Sequence, residues 1–155
     1  MNSATARLCT IMAVCVIVIA AACTSAVARV PEGYRDIKLG MNKAQVLGLL
    51  QQGPLHFSYD DMGDEVGEII RGDDLFRYAS YRFNSEGILV EIGLEMREIL
   101  GRDRVLELYN NQHGLKLTPL QAMVEADFSI EVRDNCLVMK KAAARDTLSA
   151  KGPTS

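Results

Sequence analysis

Tryptophan is absent from the 155 residues, and Phe and Tyr together make up only 6%. Basic charge is also short, with 17 Lys and Arg against 20 Asp and Glu. Only Arg7 precedes residue 29 and every acid follows it, so residues 29–155 carry 16 basic and 20 acidic groups, a net of −4. A weakly acidic chain without a basic stripe excludes a nucleic-acid interface driven by phosphate contacts. Cysteine is scarce where it would matter. Cys9, Cys15 and Cys23 all fall in the first 28 residues, which leaves Cys136 alone in the remainder. One thiol supports neither an intrachain disulfide framework nor a cysteine metal site. Cys136 is expected to be a small hydrophobe in a strand. The length suits one domain and argues against a multidomain enzyme.

Charge is wholly missing from Leu8 to Ala28. The pattern is that of an export signal: a short segment with Arg7, an apolar run from Leu8 to Ala22, then small residues at Ala26-Val27-Ala28. Three endings are open. Cleavage after Ala28 gives a soluble exported protein. Lipidation of Cys23, which follows Ala20-Ala21-Ala22, gives a lipoprotein. Retention of the 21 uncharged residues gives a signal anchor long enough to span a bilayer. The expected organisation is a signal over 1–28, or a lipoprotein signal ending before Cys23. A single domain over 29–141 and a flexible tail over 142–155 follow.

Within the domain, Asn42 and Gln45 form a capping-box pair that predicts a helix over Lys43–Gln52, stopped by Gly53-Pro54. His56 to Gly67, rich in Asp and Gly, reads as a loop, followed by a short strand at Val66–Arg71. Leu75 to Arg97 reads as a hairpin around Asn84-Ser85-Glu86-Gly87, where Gly87 suits a positive φ. Its second arm alternates with period 2, placing Ile88, Val90 and Ile92 opposite Leu89 and Glu91. A second helix is predicted over Arg102–Gln112, ended by Gly114, and a short third one from Thr118 to Ala126 because Pro119 suits a first turn. A last hairpin pairs Phe128–Val132 with Cys136–Lys140. The fold class is α+β, an antiparallel sheet with helices packed on one face.

Two stretches carry a family resemblance. Ile37-Lys38-Leu39-Gly40-Met41-Asn42, continuing through Val46 to Gly53-Pro54, resembles the opening motif of the SmpA/OmlA (BamE) small outer-membrane lipoproteins. That pattern is shared with β-lactamase-inhibitor-protein-like domains. Tyr81-Arg82-Phe83-Asn84-Ser85-Glu86-Gly87-Ile88-Leu89 is similar to the strand–turn–strand those domains place next. Asn42 stands where the family has Thr or Ser, Cys23 follows a relaxed lipobox, and the region after Met96 exceeds the small family members. The resemblance implies a periplasmic-side binding or scaffold module. In the type case it is an accessory of outer-membrane assembly, with another envelope protein as partner and membrane contact through a lipid or signal anchor. The alternative is a soluble secreted inhibitor-like or ligand-binding module.

No Gly-x-Ser-x-Gly, His-Glu-x-x-His or P-loop pattern occurs, so the chain is expected to be non-enzymatic, with no cofactor. His56 and His113 are expected to be boundary residues. Asp60, Asp61, Asp64 and Glu65 lack the alternating spacing of a calcium loop and read as a solvated acidic loop. Arg71-Gly72-Asp73 reads as a turn. Phe76, Tyr78 and Leu89 are the candidate partner surface, expected on the hairpin face opposite Tyr81 and Phe83.

Overall fold

The computed structural model describes residues 29–53, 56–125 and 127–141. The expected signal with Cys23 and the expected tail lie outside the described residues. Two short strands, β1 (Gly33–Tyr34) and β2 (Ile37–Lys38), form a ribbon and lead into helix α1 (Lys43–Gln52). Strands β3 (His56–Asp61), β4 (Glu65–Ile70), β5 (Phe76–Phe83) and β6 (Leu89–Met96) follow as a meander. A 3₁₀ turn at Glu98–Leu100 precedes helix α2 (Arg102–His113), and β7 (Met123–Glu125), β8 (Phe128–Arg133) and β9 (Cys136–Lys141) complete the chain. The described strands after α1 form a seven-stranded sheet in the order β3-β4-β5-β6-β9-β8-β7, antiparallel at every pairing. The class is α+β.

Local chemistry explains the ends of the elements. The Asn42 side chain accepts the Gln45 backbone N–H at 2.9 Å, and the Gln45 side chain accepts the Asn42 N–H at 3.0 Å. This completes the expected capping box. Gly40, at φ 93°, turns the chain so that its N–H reaches the Leu89 carbonyl while the Leu89 N–H reaches Met41. The entry to α1 is thereby stitched to the start of β6. In the β5–β6 turn, Asn84 Oδ1 accepts the N–H groups of Glu86 and Ile88, and Gly87 takes φ 73°. α2 ends at Gly114 in the left-handed conformation. Beyond it, the Asn110 side chain both donates to and accepts from the Leu117 backbone, holding Leu115 and Leu117 in the core.

The segment expected as a loop from His56 is strand β3. It pairs with β4 from His56 to Asp61, and the turn tightens only at Gly63, φ 95°. Polar residues along an edge strand mask this pairing in the sequence, because one strand edge stays wet. The helix expected from Thr118 is instead a turn bridging Thr118 and Gln121, followed by β7. Pro119 fits the second position of a turn as well as the first position of a helix, and pairing with β8 decides between them.

The candidate partner surface is also corrected. Phe76 is 2% exposed and Leu89 is fully buried, both in the same core cluster as Tyr81 and Phe83. The cause is two breaks in the β5–β6 register. One lies between Phe76 and Tyr78, the other opposite Arg82 and Phe83, where Val90 is the extra residue. Each inserted residue reverses the alternation of everything beyond it. Arg77 therefore turns outward to Glu95 and Glu98, and Phe76 turns inward. Tyr78 keeps its outward position: its hydroxyl lies where a side chain on Gly67 would begin, and Ile69 beside it is 51% exposed.

Candidate functional site

The β1–β2 ribbon, the β4–β5 turn and the last two turns of α2 enclose a cleft of about 690 Å³. The ribbon supplies Tyr34 and Arg35. Its two-residue turn is so tight that a side chain on Gly33 would begin 2.1 Å from the Ile37 carbonyl oxygen. Arg35 takes φ 53° there, which aims its guanidinium back over the Tyr34 ring at 5.0 Å. The β4–β5 turn supplies Asp73 and Asp74. Asp73 pins that turn: its Oδ1 accepts the N–H groups of Leu75 and Phe76, and its Oδ2 accepts the Tyr34 hydroxyl at 2.6 Å. Burial, then this hydrogen bond, pushes the Tyr34 phenol far above its ordinary range. The Arg71-Gly72-Asp73 tripeptide is thus a turn, with Arg71 receiving Arg35 at its carbonyl.

Helical spacing brings Leu108, Tyr109, Gln112 and His113 to one side of α2, facing the ribbon. Aromatic rings line the floor in sequence. Tyr34 meets Phe76 edge-to-face at 6.1 Å, Phe76 meets Tyr109 at 5.8 Å, and His113 lies tilted on Tyr109 at 4.3 Å. Tyr109 is only 4% exposed, yet its hydroxyl hydrogen-bonds to none of the described residues. No fully enclosed polar side-chain atom lacks a partner among the described residues, so that hydroxyl keeps some contact with solvent, and Tyr109 is one of the residues that line the cleft. Burial raises its pKa and lowers that of His113, which disfavours the charged imidazolium. Arg35, Gly33 and His113 are shared with a second lobe of about 330 Å³, edged by Arg29, Pro31, Glu32 and Lys38. This edge is held in place. The Val30 N–H donates to Glu125 at 2.7 Å, and the Leu39 N–H donates to the Glu32 carbonyl.

A second polar cluster is sealed inside the molecule. Glu68 is fully buried between the Tyr81 hydroxyl, at 2.6 Å, and His56 Nδ1, which lies in close hydrogen-bond contact. His56 fits only because residue 53 is glycine: a side chain there would begin 2.0 Å from the imidazole. The residue types suit acid–base chemistry, but the carboxyl group is closed off from solvent and its role is to tie β3, β4 and β5 together. Burial, followed by the Glu68 charge, holds the Tyr81 phenol well above its usual range.

Other expected sites resolve simply. The acidic loop already holds a cation, because Lys43 Nζ donates to Asp61 at 2.5 Å and to the Gly63 carbonyl at 2.6 Å. The Lys43 hydrogen bond and the Gly63 N–H hold the Asp61 carboxyl below its ordinary value. Cys136 is a free, half-buried thiol on β9, pushed up mainly by burial. Among the described residues no group of three His, Cys, Asp or Glu could hold a metal, and no helix is long and apolar enough to cross a membrane. Of the expected surface, Phe76 forms the cleft floor, Tyr78 sits on the opposite side of β5, and Leu89 is core. Sequence reasoning missed Tyr34, Arg35, Tyr109 and His113 as a group. The only local signal was Tyr109 and His113 one helical turn apart. No family model, curated protein or solved structure matches the chain, so the resemblance to SmpA/OmlA domains rests on the two sequence motifs alone.

Proposed function

We propose that this chain is an exported, non-enzymatic binding or scaffold domain of the cell envelope, held at a membrane through a lipid on Cys23 or through its signal. Its partner in this reading is another envelope protein, with outer-membrane assembly the role suggested by the motif resemblance. In this reading the two described helices pack on one face of the sheet, and the cleft at the rim of that face is the binding site. The observation that supports binding is Tyr109: a nearly buried side chain that lines a preformed cleft and whose hydroxyl hydrogen-bonds to none of the described residues. Such a group suits a ligand that brings its own polar partner.

The test places a photo-crosslinking amino acid at Gln112 in the full chain, within the producing cells, and at Glu107 as a control. The same cells are fractionated for intact mass. The expected result is a chain beginning at an acylated Cys23 in the membrane fraction, with a discrete crosslinked product at Gln112 that is absent at Glu107. Equal labelling at both positions would end the cleft reading. A soluble chain beginning at Arg29 would favour the secreted binding module instead.

A further inference from the structure

We infer that the two-lobed cleft binds an acidic peptide segment, with an apolar or aromatic side chain in the deep lobe and a carboxylate in the shallow one. The inference rests on the cleft being a binding site and names the chemistry of its ligand. The deep lobe combines an aromatic floor of Tyr34, Phe76 and Tyr109 with donors and acceptors that hydrogen-bond to none of the described residues: the Tyr109 hydroxyl, the Gln112 amide and the His113 ring. A peptide offers that mixture, a flat or apolar side chain flanked by backbone N–H and C=O groups.

The charges set direction. Arg29, Arg35 and Lys38 line the shallow lobe against one acid, Glu32. Arg35 is already engaged with Tyr34, Arg71 and Asp73, so Arg29 and Lys38 carry the attraction for an incoming carboxylate. Exposed Asp74, which lines the deep lobe but not the shallow one, repels a second acid there and favours an N–H or ammonium group. The fitting ligand is acidic at one end and uncharged or basic at the other. A uniformly anionic polymer would meet Asp74 and Asp73 and fits less well.

Fluorescence anisotropy on the full chain tests this with three labelled, C-amidated peptides ending Phe-Ala-Glu, Phe-Ala-Gln and Phe-Ala-Lys. The Glu probe should bind best, the Gln probe about fivefold more weakly, and the Lys probe more weakly still, the size expected of one rim charge. The double variant Arg29→Glu/Lys38→Glu should invert that order, while Arg104→Glu, on α2 outside the cleft, should leave it intact. Tyr109→Phe should weaken every probe about fivefold, one hydrogen bond's worth, without moving the melting temperature. Equal binding of the Glu and Gln probes, or an order that survives charge reversal, overturns the acidic specificity but leaves the cleft standing if Tyr109→Phe still weakens binding. Absence of any probe binding at millimolar peptide overturns the peptide assignment, while the crosslinking at Gln112 separately decides whether the cleft is used. Tighter binding of a sulfated polysaccharide than of the Glu probe would overturn it in favour of a polyanion.

Discussion

Removing one oxygen from Tyr81 tests how the sheet tolerates a buried acid. Glu68 is fully buried and has two side-chain hydrogen-bond partners, Tyr81 at 2.6 Å and His56. Tyr81→Phe keeps the ring, so no cavity larger than the hydroxyl forms, and the core around Val66, Ala79 and Ile92 stays filled. The loss is one hydrogen bond to a buried carboxylate, about 1.5–3 kcal/mol. With a urea slope of about 1–3 kcal/mol per molar, the unfolding midpoint should fall by about 1 M. Far-UV circular dichroism is the readout, since the chain has no tryptophan to report by fluorescence. Tyr109→Phe is the matched control, because its hydroxyl makes no hydrogen bond to the described residues; it should change stability by less than about 0.5 kcal/mol. His56→Ala removes the other hydrogen-bond partner of Glu68 and should cost about 1–3 kcal/mol, the penalty of leaving a buried polar group unsatisfied. If Tyr81→Phe and Tyr109→Phe shift the midpoint equally, the Glu68 cluster does not hold the sheet and the reasoning fails.

Three further outcomes are expected. Tyr34, Tyr81 and Tyr109 all have phenols raised above the ordinary tyrosine value in the fold. Their stabilisation is therefore complete below about pH 10 and is lost as pH rises beyond it. Urea midpoints at about pH 9 and pH 11 should show the decline, and Tyr109→Phe should flatten it. Phe76→Asp should leave the chain unfolded, since it deletes a core ring and buries a charge. Tyr78→Asp should cost about 1 kcal/mol and keep the fold, as separate melts would show. Gly33→Ala forces a methyl against the Ile37 carbonyl and should destabilise by about 1–3 kcal/mol, visible as a lowered melting temperature together with weakened probe binding.

Features that depend on neighbouring residues were legible along the chain. Asn42 and Gln45 announce α1 through a hydrogen-bond pair three residues apart. Asn84 to Gly87 define a turn by their own side-chain and φ preferences. Gly114 marks the end of α2 because few other residues adopt its conformation readily. Tertiary structure decided whatever depends on distant partners. Edge strands β3 and β7 exist because β4 and β8 accept them, not because their own pattern demands a strand. The bulges at Arg77 and Val90 turn Phe76 and Leu89 into the core, and a bulge shows only when two strands are laid side by side. Glu68 looks like one more surface acid until β3 and β5 bring His56 and Tyr81 to it. The cleft joins residues near 34, 74 and 110 that share no local signal, and packing alone brings Tyr109 to its wall.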